Sequence, residues 1–252
     1  MLRQDHSRQW ELFGQKDPYY GVLTHEHFKR DALGDEARSR FFASGDEQFD
    51  DLLADARSLA GPDFSAGRVL EYGCGVGRLL IPAARRADRV VGVDVSTSML
   101  DEGAPQLRGG RRGPARARHA RSTPRETDFD FAYSFAVLIH VPRRTGEEII
   151  AKLARLLRPG GVGAFNVVLR AQPHLAGFNA VMKLPLAHNL LNLVRGREWS
   201  YPHMQMNVYS LNRIALILRE HASGQLLVKT GADDRRLRPL HDLLYALNRR
   251  AA

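Results

Sequence analysis

The chain has 252 residues, 44% of them hydrophobic, with a formal net charge of +9, which is enough for one well-cored domain and too few for two joined by a linker. No run of 18 apolar residues occurs, the opening MLRQDHSRQWELF lacks an apolar signal-peptide core, and the single cysteine, Cys74, leaves no internal disulfide; a soluble, cytoplasmic protein with no membrane partner is expected. The positive charge alone would suit nucleic acid, but its densest part, with Arg108, Arg111, Arg112, Arg116, Arg118, Arg121 and Arg125, has no aromatic neighbours for base stacking. A solvated basic face, or a site for an anionic substrate, competes there with a nucleic-acid surface.

In chain order, residues 1–30 carry Trp10, Phe13, Tyr19, Tyr20 and Phe28, and the pattern predicts an amphipathic helix before Gly14 with an irregular segment after it. From Asp35 to Ala60 apolar residues recur at helical spacing up to Gly61-Pro62, which predicts one helix or two. The stretch RVLEYGCGVGRLLIPAARRADRVVGVDVSTSM, Arg68 to Met99, follows. Its spacing predicts a strand over 69–72 ending near Glu71, a loop with glycine at 73, 75 and 77, a helix over 78–87, a strand over 89–94 ending in Asp94, and a helix over 97–107 capped by Ser96. In a parallel αβ sheet both acids reach the carboxyl edge, where ligands bind. The helix N-terminus behind the loop suits an anionic group, and an acid closing the second strand can accept two hydrogen bonds from a ribose diol.

A dinucleotide fingerprint would need glycine at the position of Arg78; the pattern here is E-x-G-x-G-x-G. With Asp94 and Met99 it resembles the first motif of the class I S-adenosylmethionine-dependent methyltransferases, and the LLRPGG turn ending at Gly161 resembles a second family marker. The resemblance implies an α/β, Rossmann-like doubly wound, mostly parallel seven-stranded sheet, with a helical N-terminal lid and a helical insertion after the fifth strand. It implies S-adenosylmethionine as cofactor. Glu71, Gly73, Gly75 and Gly77 would then shape its methionyl end, with Cys74 a small residue packed beside it. Asp94 would hold the ribose, Val95 and Met99 would lie near the adenosine, Tyr133 and Phe135 would wall the sulfonium, and Tyr19 and Tyr20 would close over the mouth or pin the N-terminus to the core. The acid that such enzymes often place after the third strand is missing, and Ser122 or Thr123 is the substitute on offer.

The third strand is marked only by the alternating alanine and arginine of 115–120, whereas Asp128 to Val141, DFDFAYSFAVLIHV, reads as a buried fourth strand and its exit. His140 in that exit turn is the candidate catalytic residue, as a general base or else as a histidine bonding the local backbone. A helix over 145–157, a turn at Arg158–Gly161 and a fifth strand over 162–169 follow. Residues 171–205 read as two short helices broken at Pro185, fit to roof an acceptor pocket or to make a dimer contact. Leu211–His221 reads as a helix, 225–230 as a strand, and 243–247 as a last strand, with a short helix over 240–247 as the alternative.

The whole, 1–252, reads as a single domain: a lid and helix over 1–60, a cofactor core over 61–170, a cap over 171–208 and a sheet edge over 209–252. The expected function is methyl transfer from S-adenosylmethionine to an oxygen or nitrogen of a small-molecule acceptor, by a monomer or homodimer, with no metal and no nucleic-acid partner. An RNA methyltransferase using the arginine-rich 108–125 segment and a non-catalytic cofactor-binding protein are the alternatives.

Overall fold

The computed structural model describes residues 6–107, 115–120, 127–170, 186–196, 198–202, 204–222, 224–230 and 242–249. Its centre is a seven-stranded sheet: β1 (Arg68–Tyr72), β2 (Arg89–Asp94), β3 (Ala115–His119), β4 (Phe129–Ser134), β5 (Leu157–Val167), β6 (Leu226–Lys229) and β7 (Asp242–Leu247). In space the order is β3-β2-β1-β4-β5-β7-β6. The first five are parallel neighbours, and β7 runs antiparallel between β5 and β6. Strands covered on both faces need near-continuous apolar sequence, and β1, β2 and β4 supply it: Val69, Leu70, Val90, Val93, Phe129 and Phe131 are all buried.

Helices cover both faces. α3 (Asp35–Ala60) and α4 (Leu80–Arg86) pack Phe49, Leu52 and Leu80 with Phe131 and Tyr133. On the other face α6 (Arg143–Leu156) and α8 (Leu211–Ala222) pack Ile150, Leu153, Ile214 and Leu218 with Leu70 and Phe165. A third cluster joins α1 (His6–Lys16), α2 (Pro18–Val22) and α5 (Thr97–Leu107) through Phe13, Tyr19, Phe41, Met99 and Tyr201. α7 (Ala187–Val194) lies beyond β5.

Several expectations shift by residues, for local reasons. α1 does not stop at Gly14; it runs on to Lys16 because the glycine is where α1 meets α5, and a Cβ there would stand 2.7 Å from Ser96 Oγ and 2.9 Å from the Met99 nitrogen. The segment after it is helical as α2, with Pro18 at its first turn, and residues 35–60 form one helix. The Arg158–Gly161 turn is absorbed into β5. Asn248 donates to the carbonyls of Leu157 and Arg158, Gly160 donates back to the Asn248 carbonyl, and the register against β4 shifts between Phe129 and Phe131 to admit the extra residues. Residues 242–247 are strand rather than helix because all six are buried between two neighbours that satisfy their backbone. The first of the two helices read into 171–205, the Ser122–Thr123 pair and most of the arginine-rich segment lie outside the described residues.

Candidate active site

The chain leaves β1 toward β2 on one side and returns to β4 on the other, so a crevice opens at the carboxyl ends of β1 and β4. The glycine loop fills its rim. Gly73 and Cys74 donate to the Val93 carbonyl at the end of β2, over 2.7 and 3.1 Å. Gly73 holds φ +82, and a Cβ there would overlap the Val137 side chain, so both conformation and space demand glycine. Asp94 binds the loop from across the crevice: one carboxylate oxygen accepts from the Gly75 nitrogen over 2.8 Å, the other from the Ser96 nitrogen over 2.9 Å. Ser96 in turn accepts from the Met99 nitrogen over 3.1 Å and so caps α5 as its sequence suggests.

A cavity of about 310 Å³ stands over this loop. Gly73, Gly75, Asp94, Val95, Met99 and Phe135 line it, which gathers half of the sequence-derived site residues on one wall. The others stand behind that wall. Glu71 is buried at the end of β1, where Tyr133 donates its phenol to it over 3.1 Å; Tyr133 therefore braces Glu71 instead of facing the cavity. Cys74 turns into the core beneath the loop, where burial pushes its thiol well up, with Asp94 and Glu71 adding to the shift. Gly77 closes the loop through its nitrogen to the Cys74 carbonyl. Tyr20 packs among Phe13, Phe28 and Met99, with the Lys29 ammonium 5.4 Å above its ring, while its neighbours Gly21 and Val22 reach the cavity. Tyr19 is buried edge-on against Phe41 and Phe42.

His140 does not line the cavity either. Its Nδ1 donates to the Gln205 carbonyl over 2.8 Å, and its ring lies 5.4 Å from that of Trp10. The backbone it bonds lies 65 residues away in sequence and is not that of its own turn.

Sequence reasoning missed the far wall. Ser7 and Trp10 of α1, Tyr72 at the end of β1, Ala136 and Val137 of the β4 exit, and Val141, Pro142, Thr145 and Ile149 at the head of α6 complete the cavity. The clue for part of it was present, since VLIHV follows the strand directly. What could not be read is how the turn is held. Ala136 sits at φ +57, a costly conformation for a residue with a Cβ, and its nitrogen donates to Oδ1 of the fully buried Asn166 on β5 over 3.0 Å. Tyr209 closes the other end, its hydroxyl 2.9 Å from the carbonyls of both Leu138 and Val141. The roof is also latched: Glu11 of α1 accepts from Ser96 Oγ, Ser98 Oγ and the Ser98 nitrogen, and Tyr201 donates to Asp17 over 2.9 Å.

The electrostatics suit a ligand that brings hydroxyl and ammonium donors. Burial pushes Glu71 up to about 8, opposed by the Tyr133 hydrogen bond and Arg78, and assisted by Asp94. Asp94 is also raised by burial, though the backbone donors of Ser96, Gly75 and Val95 oppose the rise. Two buried acids that repel each other, Asp94 in the cavity wall and Glu71 behind it, are relieved by a cation and by hydrogen-bond donors, and a pyrophosphate would worsen their position. S-adenosylmethionine offers an ammonium, a sulfonium and a ribose diol, so the residues present fit it, with Asp94 on the diol and the Glu71 end of the loop beside the amino acid.

Residues 69–161 match the family model of a methyltransferase domain. No curated protein matches the chain. Among solved structures, a magnesium protoporphyrin IX methyltransferase of Synechocystis PCC 6803 with bound S-adenosylmethionine aligns over 98% of this chain and 99% of its own, at 16% identity and a TM-score of 0.58. An S-adenosylmethionine-dependent methyltransferase of Thermotoga maritima aligns over 95% and 99%, at 16% identity and 0.52. One from Methanosarcina mazei aligns over 74% and 93%, at 17% identity and 0.51. These likenesses are of fold. Residues 69–161 thus match a methyltransferase domain, and the fold around them is shared with S-adenosylmethionine-dependent methyltransferases.

Proposed function

We propose that the protein methylates an oxygen or nitrogen of a small-molecule acceptor. One observation carries this reading: a single cavity joins the glycine loop and Asp94 to a chamber walled by Trp10, Phe135, Val137, Val141 and Ile149. A mostly apolar chamber beside the cofactor loop suits a small organic molecule.

When bound, S-adenosylmethionine supplies a methyl group already activated on a sulfonium, so alignment and exclusion of water are the protein's main tasks. Gly73 and Gly75 let the main chain approach the amino-acid portion, and Asp94 accepts from the ribose. Trp10 and the strained Ala136 turn shape the space beside the methyl group. His140 serves as a positioning residue, holding Trp10 and the Gln205 segment together.

Native mass spectrometry with S-adenosylhomocysteine, S-adenosylmethionine and NAD tests the cofactor half: both sulfur compounds should be retained and NAD should not. Methyl incorporation from labelled cofactor into a metabolite pool tests the acceptor half. Label entering RNA and no small molecule would reverse the reading.

A further inference from the structure

The glycine loop is braced from beyond the segment that matches the family. That match covers residues 69–161, whereas the side chain that holds the exit of β4 lies on β5 past that limit. Asn166 is fully buried, and its Oδ1 accepts from the Ala136 nitrogen over 3.0 Å. Its Nδ2 donates to the main-chain carbonyl of Asp242, the first residue of β7, over 3.2 Å. Asp242 is buried too, and its Oδ2 accepts from the Leu169 nitrogen over 2.8 Å. At the other end of this run stands Ala136 at φ +57 and, beside it, Val137, whose side chain fills the space that a Cβ on Gly73 would need. Val137 is thus where the far wall of the cavity meets its floor. Resting on the methyltransferase reading above, we infer that Asn166 is a positioning residue for cofactor binding: its carboxamide fixes the Ala136–Val137 turn to β7 and so holds Val137 against the glycine loop.

The chemistry of the two partners selects this side chain. A peptide N–H only donates and a peptide carbonyl only accepts, so the group between Ala136 and Asp242 must accept at one end and donate at the other, and a carboxamide does both. Turned over, it would set its NH2 against the Ala136 N–H and its oxygen against the Asp242 carbonyl, so its partners fix its orientation. The clamp matters because alanine is costly in the left-handed region. With that acceptor gone, the turn relaxes toward ordinary backbone angles and carries Val137 away from Gly73. A glycine at 136 would meet no such cost, so the turn would depend less on Asn166. An aspartate at 166 keeps an acceptor for the Ala136 nitrogen at every pH, but it can donate to the Asp242 carbonyl only while protonated.

Calorimetry of S-adenosylhomocysteine binding, well below the unfolding temperature, tests the inference. Asn166→Leu, close in size and without polar atoms, should bind about fivefold more weakly than wild type. Adding Ala136→Gly should bring the affinity back to within about twofold. Asn166→Asp should stay within about twofold of wild type near pH 5.5, where burial keeps the new carboxyl protonated, and fall behind it near pH 8.5; Ala136→Gly should again close the gap. Wild-type affinity in Asn166→Leu, or a deficit that Ala136→Gly leaves in place, would overturn the inference, since an asparagine that only ties β5 to β7 gains nothing from a glycine in the β4 exit. Where the leucine variant does not fold, the aspartate variant decides: the same ratio to wild type at both pH values would overturn the inference. S-adenosylhomocysteine binding by the wild-type protein keeps the methyltransferase reading through any of these failures, and its absence would overturn both.

Discussion

The two walls of the cavity are made in different ways. The floor, from Gly73 to Met99, is set by backbone: loop nitrogens on Val93 and on Asp94, a positive φ at Gly73, and a serine cap on α5. The far wall and roof are set by side chains that arrive from distant parts of the chain. Glu11 reaches Ser96 and Ser98, Trp10 meets His140, Tyr201 meets Asp17, and Asn166 holds Ala136. On the proposed function the floor answers to the cofactor and the roof to the acceptor.

The sharpest way to break the floor is Gly73→Ala. The new Cβ must enter the space of Val137 at a backbone angle that disfavours it, and left-handed strain plus overpacking add to roughly 2–5 kcal/mol. S-adenosylhomocysteine binding by calorimetry should become undetectable, and thermal unfolding should come several degrees earlier. An affinity equal to wild type would mean that the loop is not the cofactor's seat.

Asp94→Ala comes next. It removes the proposed ribose acceptor and leaves the nitrogens of Gly75 and Ser96 without this carboxylate. A charge-assisted hydrogen bond contributes about 1.5–3 kcal/mol, so affinity for S-adenosylhomocysteine should fall tenfold or more, and Asp94→Asn should recover part of it. Unchanged affinity in the alanine variant would remove Asp94 from the ribose.

This asymmetry also explains what the sequence could tell. Glycine spacing, an acid closing each strand and an apolar run in β4 are local patterns, so β1, β2, β4 and α5 fall within a residue or two of their expected places. Asp94, Met99 and Phe135 could be placed in the cavity for the same reason. Tyr133 and Tyr20 could not, because which way a side chain turns at a strand end or on a short helix depends on partners, here Glu71 for one and the Phe13–Phe28 cluster for the other. Trp10 looked like any aromatic in an amphipathic helix. Gly14 against α5 and Glu11 on the α5 N-terminus, partners distant in sequence, help place the helix so that Trp10 lines the cavity.

A subtler probe of the floor is pH. Burial holds Glu71 up to about 8 in the cofactor-free protein, well above its unfolded value of about 4.3. The native state therefore keeps a proton that the unfolded chain gives up, and stability should fall as pH rises from roughly 4.5 toward 8, then level off. Glu71→Gln should flatten that slope in denaturant titrations. Cofactor binding brings an ammonium that favours the ionised acid, so near pH 7 binding should release close to one proton, read from calorimetry in buffers of different ionisation enthalpy. Equal proton release by the Gln variant would point to another group.

The smallest effect expected is at the roof, and it separates the two walls most cleanly. Burial alone would raise the Glu11 carboxyl, but hydrogen bonds from Ser98 and Ser96 outweigh it and hold it below its ordinary range. Its contribution is thus present above about pH 4.5 and lost as pH falls through the lowered value. Glu11 also satisfies the Ser98 nitrogen, one of the orphan donors at the start of α5. Glu11→Ala should cost about 0.5–1.5 kcal/mol of stability at neutral pH, and the cost should shrink as pH falls below about 4.5. Because the latch holds α1, and α1 carries Trp10, the same variant should raise KM for the acceptor several-fold with little change in S-adenosylhomocysteine affinity. A loss of cofactor affinity as large as that of Asp94→Ala would mean that roof and floor are one unit, and that the division between a cofactor wall set by backbone and an acceptor wall set by side chains is wrong.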